Sequence, residues 1–186
     1  MFENCVISHM NKKYLSVIFL FLVNCAIAQV KHTVTKSTVT FKIKNLGINT
    51  GGSIGGVQAN IMFDPNKLES SSIEATADVT SINTDNDMRD EHLKSDAYFD
   101  VAKYPHITIK SISLKHKSGN NYTGQFNVTI KDKTLPLEIP FTYIESGNTA
   151  SFNGTLKLKR TAFGVGSSSM VMSDDVAVTI DVETSK

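Results

Sequence analysis

The sequence predicts an all-β protein, an eight-stranded antiparallel β-barrel with a short helical insert. Three observations carry that prediction. Apolar and polar residues alternate over run after run, which marks strands with one dry and one wet face. Turn residues separate the runs at short intervals, which suits hairpins in up-and-down order. The wet faces carry Lys, Thr, Glu and Asp, so no helix layer packs there and the dry faces must meet each other. Closure into a barrel, rather than a two-sheet sandwich, removes the exposed edges.

Residues 1–28 read as a secretory signal peptide. Lys12-Lys13 is basic, residues 15–23 are apolar apart from Ser16, and Ala26-Ile27-Ala28 supplies the small residues that a signal peptidase reads. The apolar run is about half the length that crosses a bilayer, so no stable membrane span is expected. Cys25 behind that run offers a lipid anchor as the alternative, with Asn24 standing where a small residue belongs. Cleavage after Ala28 would remove both cysteines, Cys5 and Cys25, and with them disulfides and Cys-ligated zinc. It also takes Glu3, Lys12 and Lys13 from a chain of net charge +1. The resulting domain, residues 29–186, is neutral, which argues against nucleic acid or an anionic membrane surface as its main partner. An exported, periplasmic protein is expected.

The strands follow in order. Val39, Phe41 and Ile43 alternate with lysine and threonine, and a shorter run follows at residues 57–63. Gly51-Gly52 between these runs reads as a turn. Ile73, Ala75, Ala77 and Val79 alternate next, and their two alanines would leave space inside rather than fill it. In residues 106–115 the apolar phase slips between Ile109 and Ile112, which predicts a β-bulge. Phe126, Val128 and Ile130 form one strand, and Leu135, Leu137, Ile139, Phe141 and Tyr143 the next. Pro136 and Pro140 share a phase of that strand, so both missing N–H groups face the same neighbour, which should thin the ladder there and make it the weakest seam of the barrel. Residues 149–159, with Leu156 and Leu158, and then Val176, Val178, Ile180 and Val182 complete the set.

One stretch breaks the period. Residues 85–99 read as a short helix or two helical turns, with Asp85 and Asp87 at the start and Met88, Arg89, His92 and Leu93 at helical spacing. The insert is expected to lie over one end of the barrel.

Two ordered signatures then resemble a known family. The first is Ser81-Ile82-Asn83-Thr84, Arg89-Asp90-x-His92-Leu93-Lys94-Ser95 and Phe99-Asp100-Val101-x-Lys103-Tyr104-Pro105, preceded by Met62-Phe63-Asp64-Pro65. The second is Leu158-Lys159-Arg160-x-x-Phe163-Gly164-Val165 followed by Asp175-Val176-x-Val178-x-Ile180. Over residues 32–183 the chain is similar to the YceI-like proteins, polyisoprenoid-binding, lipocalin-like barrels exported by many bacteria. The resemblance implies an apolar tunnel occupied by an isoprenoid or other fatty ligand, and no catalytic residues. Glycine and aliphatic residues at 52–59 depart from the aromatic residues that relatives often carry there.

The inward phase names the wall of such a cavity: Phe41, Ile43, Phe63, Ile73, Ala75, Ile109, Phe126, Val128, Ile139, Phe141, Leu156, Leu158, Val178 and Ile180. Arg89, His92 and Arg160 are candidates for a polar rim that meets a ligand head group. A buried Arg160 would need a carboxylate, for which Asp90 and Asp100 are the candidates.

Competing chemistries find less support. Gly51-Gly52-Ser53-Ile54-Gly55 matches a nucleophile elbow, but a strand rather than a helix follows it. Asp85-x-Asp87-x-Arg89-Asp90 opens like a calcium loop and then places arginine where an oxygen ligand belongs. His32, His92, His106 and His116 have no metal-ligand spacing. A binding protein with no catalytic residues, no metal and no cofactor beyond its apolar ligand is therefore expected. The rival is a filled barrel acting as a structural or stress-related interaction module.

Overall fold

The alternating runs become eight antiparallel strands in the computed structural model, which describes residues 30–186. They are β1 (Lys31–Asn45), β2 (Ile48–Met62), β3 (Ser72–Asn83), β4 (His106–Ser118), β5 (Asn121–Ile130), β6 (Lys133–Ser146), β7 (Thr149–Lys159) and β8 (Met172–Ser185). Their order around the barrel is their order in the chain, and β8 closes against β1. The closing ladder runs from Thr33 opposite Ser185 to Asn45 opposite Met172. Residues 1–28, where the leader was read, lie outside the described residues.

The anticipated bulge is present. Register shifts between Ser111 and Ser113 against β5, leaving Ile112 as the extra residue, turned outward and 58% exposed. The freed geometry lets Ser111 Oγ accept the N–H of Ile73 at 2.9 Å where the β3–β4 ladder has ended.

The reading of Gly51-Gly52 as a turn is corrected. The turn is Leu46-Gly47, both at positive φ, and the glycines lie inside β2. Their function there is close approach. A Cβ on Gly51 would stand 2.8 Å from the carbonyl oxygen of Phe41, and one on Gly52 would stand 2.6 Å from that of Asn83. Gly56, at φ +61°, belongs to a break in the β2–β3 register between Gly55 and Gln58.

Two ladders are short, and both are open at the end that carries the insert. β3 and β4 share five residue pairs, Glu74–Asp78 against His106–Lys110, because the chain leaves to make the insert before β4 begins. β6 meets β7 over six pairs, starting only at Phe141 opposite Gly154. Pro136 and Pro140 pair with Asn127 and Thr123 of β5, and the segment carrying them has no partner in β7. The proline seam is therefore thin as expected, but it is not the weakest of the barrel: the seam beside the insert is shorter by one pair, because the chain leaves β3 there.

Within the insert between β3 and β4 the regular helix amounts to about two turns, shorter than residues 85–99. Helix α1 spans Asp87–Lys94, capped by the Asn86 side chain, which accepts the Arg89 N–H at 2.9 Å. Turns carry the chain onward, with Phe99 N–H donating to Leu93 O and Tyr104 N–H to Asp100 O. Together with the β7–β8 connection, the insert covers the end at which the two seams open.

Candidate functional site

The two ends of the barrel are filled differently. At the end away from the insert, inward aromatic side chains form a plug. Phe63 is fully buried there, with ring centroids 4.7 Å from Tyr143, 5.3 Å from Tyr122 and 5.4 Å from Phe152. His32 joins it edge-on to Phe152 at 5.3 Å. Its Nε2 donates to the Phe63 carbonyl at 3.1 Å, and its Nδ1 meets Thr184 Oγ1 at 3.1 Å. Burial is the chief cause that lowers the His32 pKa, which favours the neutral ring. Burial also pushes the Tyr143 hydroxyl above its ordinary range, helped by its 2.8 Å hydrogen bond to Glu145.

Above the plug is a cavity of about 280 Å³, near the lower bound of roughly 300–1,000 Å³ for small-molecule sites. Phe141 and Phe152 of the plug form its floor. Its wall is almost wholly apolar. Phe41, Ile43, Ile73, Ala75, Ile109, Phe126, Val128, Ile139, Phe141, Leu156, Leu158, Val178 and Ile180 all line it. Space comes from small side chains on facing strands: Ala59 lies opposite Ala75, Ala77 opposite Ile107, and Gly154 opposite Ile180.

Phe63 is a correction. It was read as cavity wall and instead lies in the plug, because it directly follows β2 at the end opposite the mouth. Several wall residues were not read from the sequence, among them Val39, Ile54, Val57, Ala59, Ile61, Ile107 and Phe152. Val39 and Ile107 share the inward phase of Phe41 and Ile109 and could have been found. Ile54 could not, since the irregularity at Gly55–Gln58 breaks the phase between it and Val57.

The mouth is framed by Thr84, Arg89, Leu93, Tyr98, Phe99, Arg160, Val165 and Met172. Arg89 Nε donates to Thr84 Oγ1 at 2.8 Å and an Nη donates to the Thr84 carbonyl at 2.6 Å. Thr84 is held in turn by Asp90, which accepts its N–H at 3.0 Å and its hydroxyl. Among the described residues Arg89 forms no ion pair.

The other two rim candidates serve the insert and the loop. His92 does not line the cavity; it is exposed, with its ring edge-on to Tyr98 at 4.8 Å. Arg160 does line it, but its partner is Asp174 at 3.0 Å, neither Asp90 nor Asp100. Its donors also reach the carbonyls of Val165 and Ser173, each at 3.0 Å, and that of Met172 at 3.5 Å. That set ties the turn after β7 to the start of β8. The carboxylates inside the first signature are not the ones that reach Arg160; its partner directly precedes Asp175 of the second.

Comparison with known proteins agrees with this architecture. A UPF0312 protein of Pectobacterium atrosepticum is 30% identical over 154 residues, covering 78% of this chain and 79% of the relative. The crystal structure of Burkholderia cenocepacia BcnA superposes with a TM-score of 0.78 at 29% identity, covering 82% of this chain and 98% of that one. A domain described as polyisoprenoid binding, from Saccharophagus degradans, shares the fold with a TM-score of 0.59 at 13% identity, over 83% of this chain and 97% of that domain. The model of the YceI-like domain matches residues 31–184, which is all of the barrel, and the chain belongs to that family.

Proposed function

We propose that the protein is an exported, non-enzymatic carrier that holds one apolar chain molecule, isoprenoid or fatty, inside its barrel. The observation that carries this reading is the cavity. Small side chains at Ala59, Ala75, Ala77 and Gly154 stand where larger ones would fill the core. Leaving such a space empty forfeits packing contacts, and an apolar occupant restores them. Binding would come from desolvating the chain at roughly 25 cal/mol per Å² of apolar surface buried. Arg89 at the mouth, with no carboxylate of its own, is placed to meet a polar or anionic head group.

Polyisoprenoid binding in the Saccharophagus degradans domain supports the ligand class. Ser53 weighs against catalysis: it lies within β2, opposite Thr40 and Asn83, rather than on a strand-to-helix elbow. The cavity likewise weighs against the filled-barrel alternative. Export rests on the leader read in residues 1–28.

Titration of delipidated protein with farnesol, geranylgeraniol and palmitate, followed by calorimetry, tests the proposal. Saturable stoichiometric binding of at least one of them is expected. Absence of heat and of displacement for all three would refute the reading.

A further inference from the structure

Large apolar side chains are exposed beside the mouth. Leu46 (71%), Ile48 (70%), Met170 (105%) and Val171 (53%) project from the β1–β2 turn and the loop before β8. These two segments touch, the N–H of Leu46 donating to the carbonyl of Val171 at 2.7 Å. The patch is continuous with the cavity, since Asn45 and Met172, the chain neighbours of Leu46 and Val171, both line it. Single exposed apolar residues are ordinary, but four on two adjoining segments at a cavity mouth form a contiguous tip.

Below the tip, the outer wall is basic. Lys42 and Lys157 lie on either side of Ala177, in register with it on β1, β8 and β7. Lys159 lies opposite Asp175, and Lys44 opposite Asn49 of β2. All four lysines are exposed, and among the described residues none forms an ion pair. Asp175 is the one carboxylate exposed among them, because Asp174 is held by Arg160. The domain's neutrality therefore hides a local segregation of charge. On the insert the exposed Met88 stands among Asp85, Asp87 and Glu91, with Arg89 and the Glu91-paired Lys94 beside them, and residues 85–105 carry six carboxylates against three cations, a net acidic segment.

We propose that this apolar tip and its lysine collar dock the mouth of the barrel onto an anionic bilayer surface. The tip would enter the headgroup boundary while the lysines meet anionic phosphates, the two contributions that add in interfacial binding. The acidic insert would face away from the surface, so the barrel leans on its β1, β2 and β8 side. Docking in this pose sets the cavity mouth against the acyl region. The function of docking rests on the carrier reading, but the docking itself does not require a bound ligand.

The test is flotation of delipidated protein with phosphatidylcholine vesicles, with and without phosphatidylglycerol. Binding is expected to need phosphatidylglycerol and to weaken as salt rises. L46S/I48S/M170S/V171S and K42Q/K44Q/K157Q/K159Q should each lower partitioning by about tenfold or more. All eight positions are exposed, so both variants should melt like the parent, and the charge variant leaves the apolar tip intact. Failure to float with anionic vesicles, or flotation unaffected by either variant, would overturn the proposal. So would loss of a self-associated form in the serine variant with no vesicle binding in the parent, since the tip would then join two copies. A protein that floats but takes up no apolar chain would refute the carrier reading and leave the docking surface standing.

Discussion

The imidazole of His32 and the carbonyl of Phe63 are joined by a 3.1 Å hydrogen bond that closes the bottom of the barrel. A carbonyl only accepts, so the neutral ring carries its proton on Nε2 and leaves Nδ1 as an acceptor. The Thr184 hydroxyl, 3.1 Å from both Nδ1 and the carbonyl of Ala150, can donate to either. Protonation of the ring would turn Nδ1 into a donor and commit Thr184 to Ala150, at the cost of a cation buried among Phe152, Tyr143 and Phe63.

That arrangement sets the pH dependence of stability. Burial holds the folded pKa of His32 below its ordinary 6.5, so over the interval between the two values the unfolded chain binds more protons. Stability is then fully present above pH 6.5 and is lost as pH falls toward the folded value, where the loss levels off. Urea midpoints measured from pH 7.5 to 5 should fall for the parent across this window. In H32Q that part of the slope should vanish. A variant that keeps the parent's slope would show that another group is responsible.

Arg160 should matter for stability more than for ligand recognition. R160M removes the ion pair with Asp174 and leaves the carbonyls of Val165 and Ser173 without donors. Asp174 is one-third exposed and regains water, so the expected loss is about 2–3 kcal/mol rather than the larger figure for a wholly buried pair. Chemical denaturation measures it. Proteolysis should meanwhile cut first within residues 164–171.

Gly52 should resist even alanine. Its added Cβ would lie 2.6 Å from the Asn83 carbonyl, 2.7 Å from Thr84 Cγ2 and 2.8 Å from the ring of Phe41. Part of that environment is backbone, so β2 and β3 must separate, and a destabilisation of about 1–3 kcal/mol is expected in G52A. The displaced Thr84 also carries Arg89, so binding of a ligand with an anionic head should weaken in the same variant.

Ala75 separates a hollow barrel from a filled one. It lies between Ala59 and Ile109, its neighbours on β2 and β4, and lines the cavity, so A75F places a ring into empty space. The melting temperature of the delipidated protein should hold or rise slightly, while apolar ligand binding falls about tenfold or more. Destabilisation beyond about 1 kcal/mol would mean that the wall is already packed there.

The period-two pattern made the strands, the closed barrel and the bulge at Ile112 legible, because each depends on which face of a strand is dry. Depth along the barrel axis was not legible. Phe41 and Phe63 share the inward face, yet one lines the cavity and the other plugs the far end. Alternation carries no information about height, and only the register of all eight strands supplies it. The glycines of β2 misled for a related reason. Gly51-Gly52 has the composition of a turn, and its service to the close approach of β1 and β3 shows only when those strands are in place. Partners set by tertiary folding were hidden too, as with Arg160, whose carboxylate comes from the start of β8.

A carrier should leave the cell with an apolar chain in its cavity. Mass spectrometry of an organic-solvent extract from gently purified protein, paired with melting before and after extraction, looks for that chain. A stoichiometric isoprenoid or fatty species is predicted, and its removal should lower the melting temperature, since occupancy at about 100-fold above Kd stabilises by about 2.7 kcal/mol. An extract without such a species, from a protein that melts no lower afterwards, would mean that the barrel carries no apolar chain.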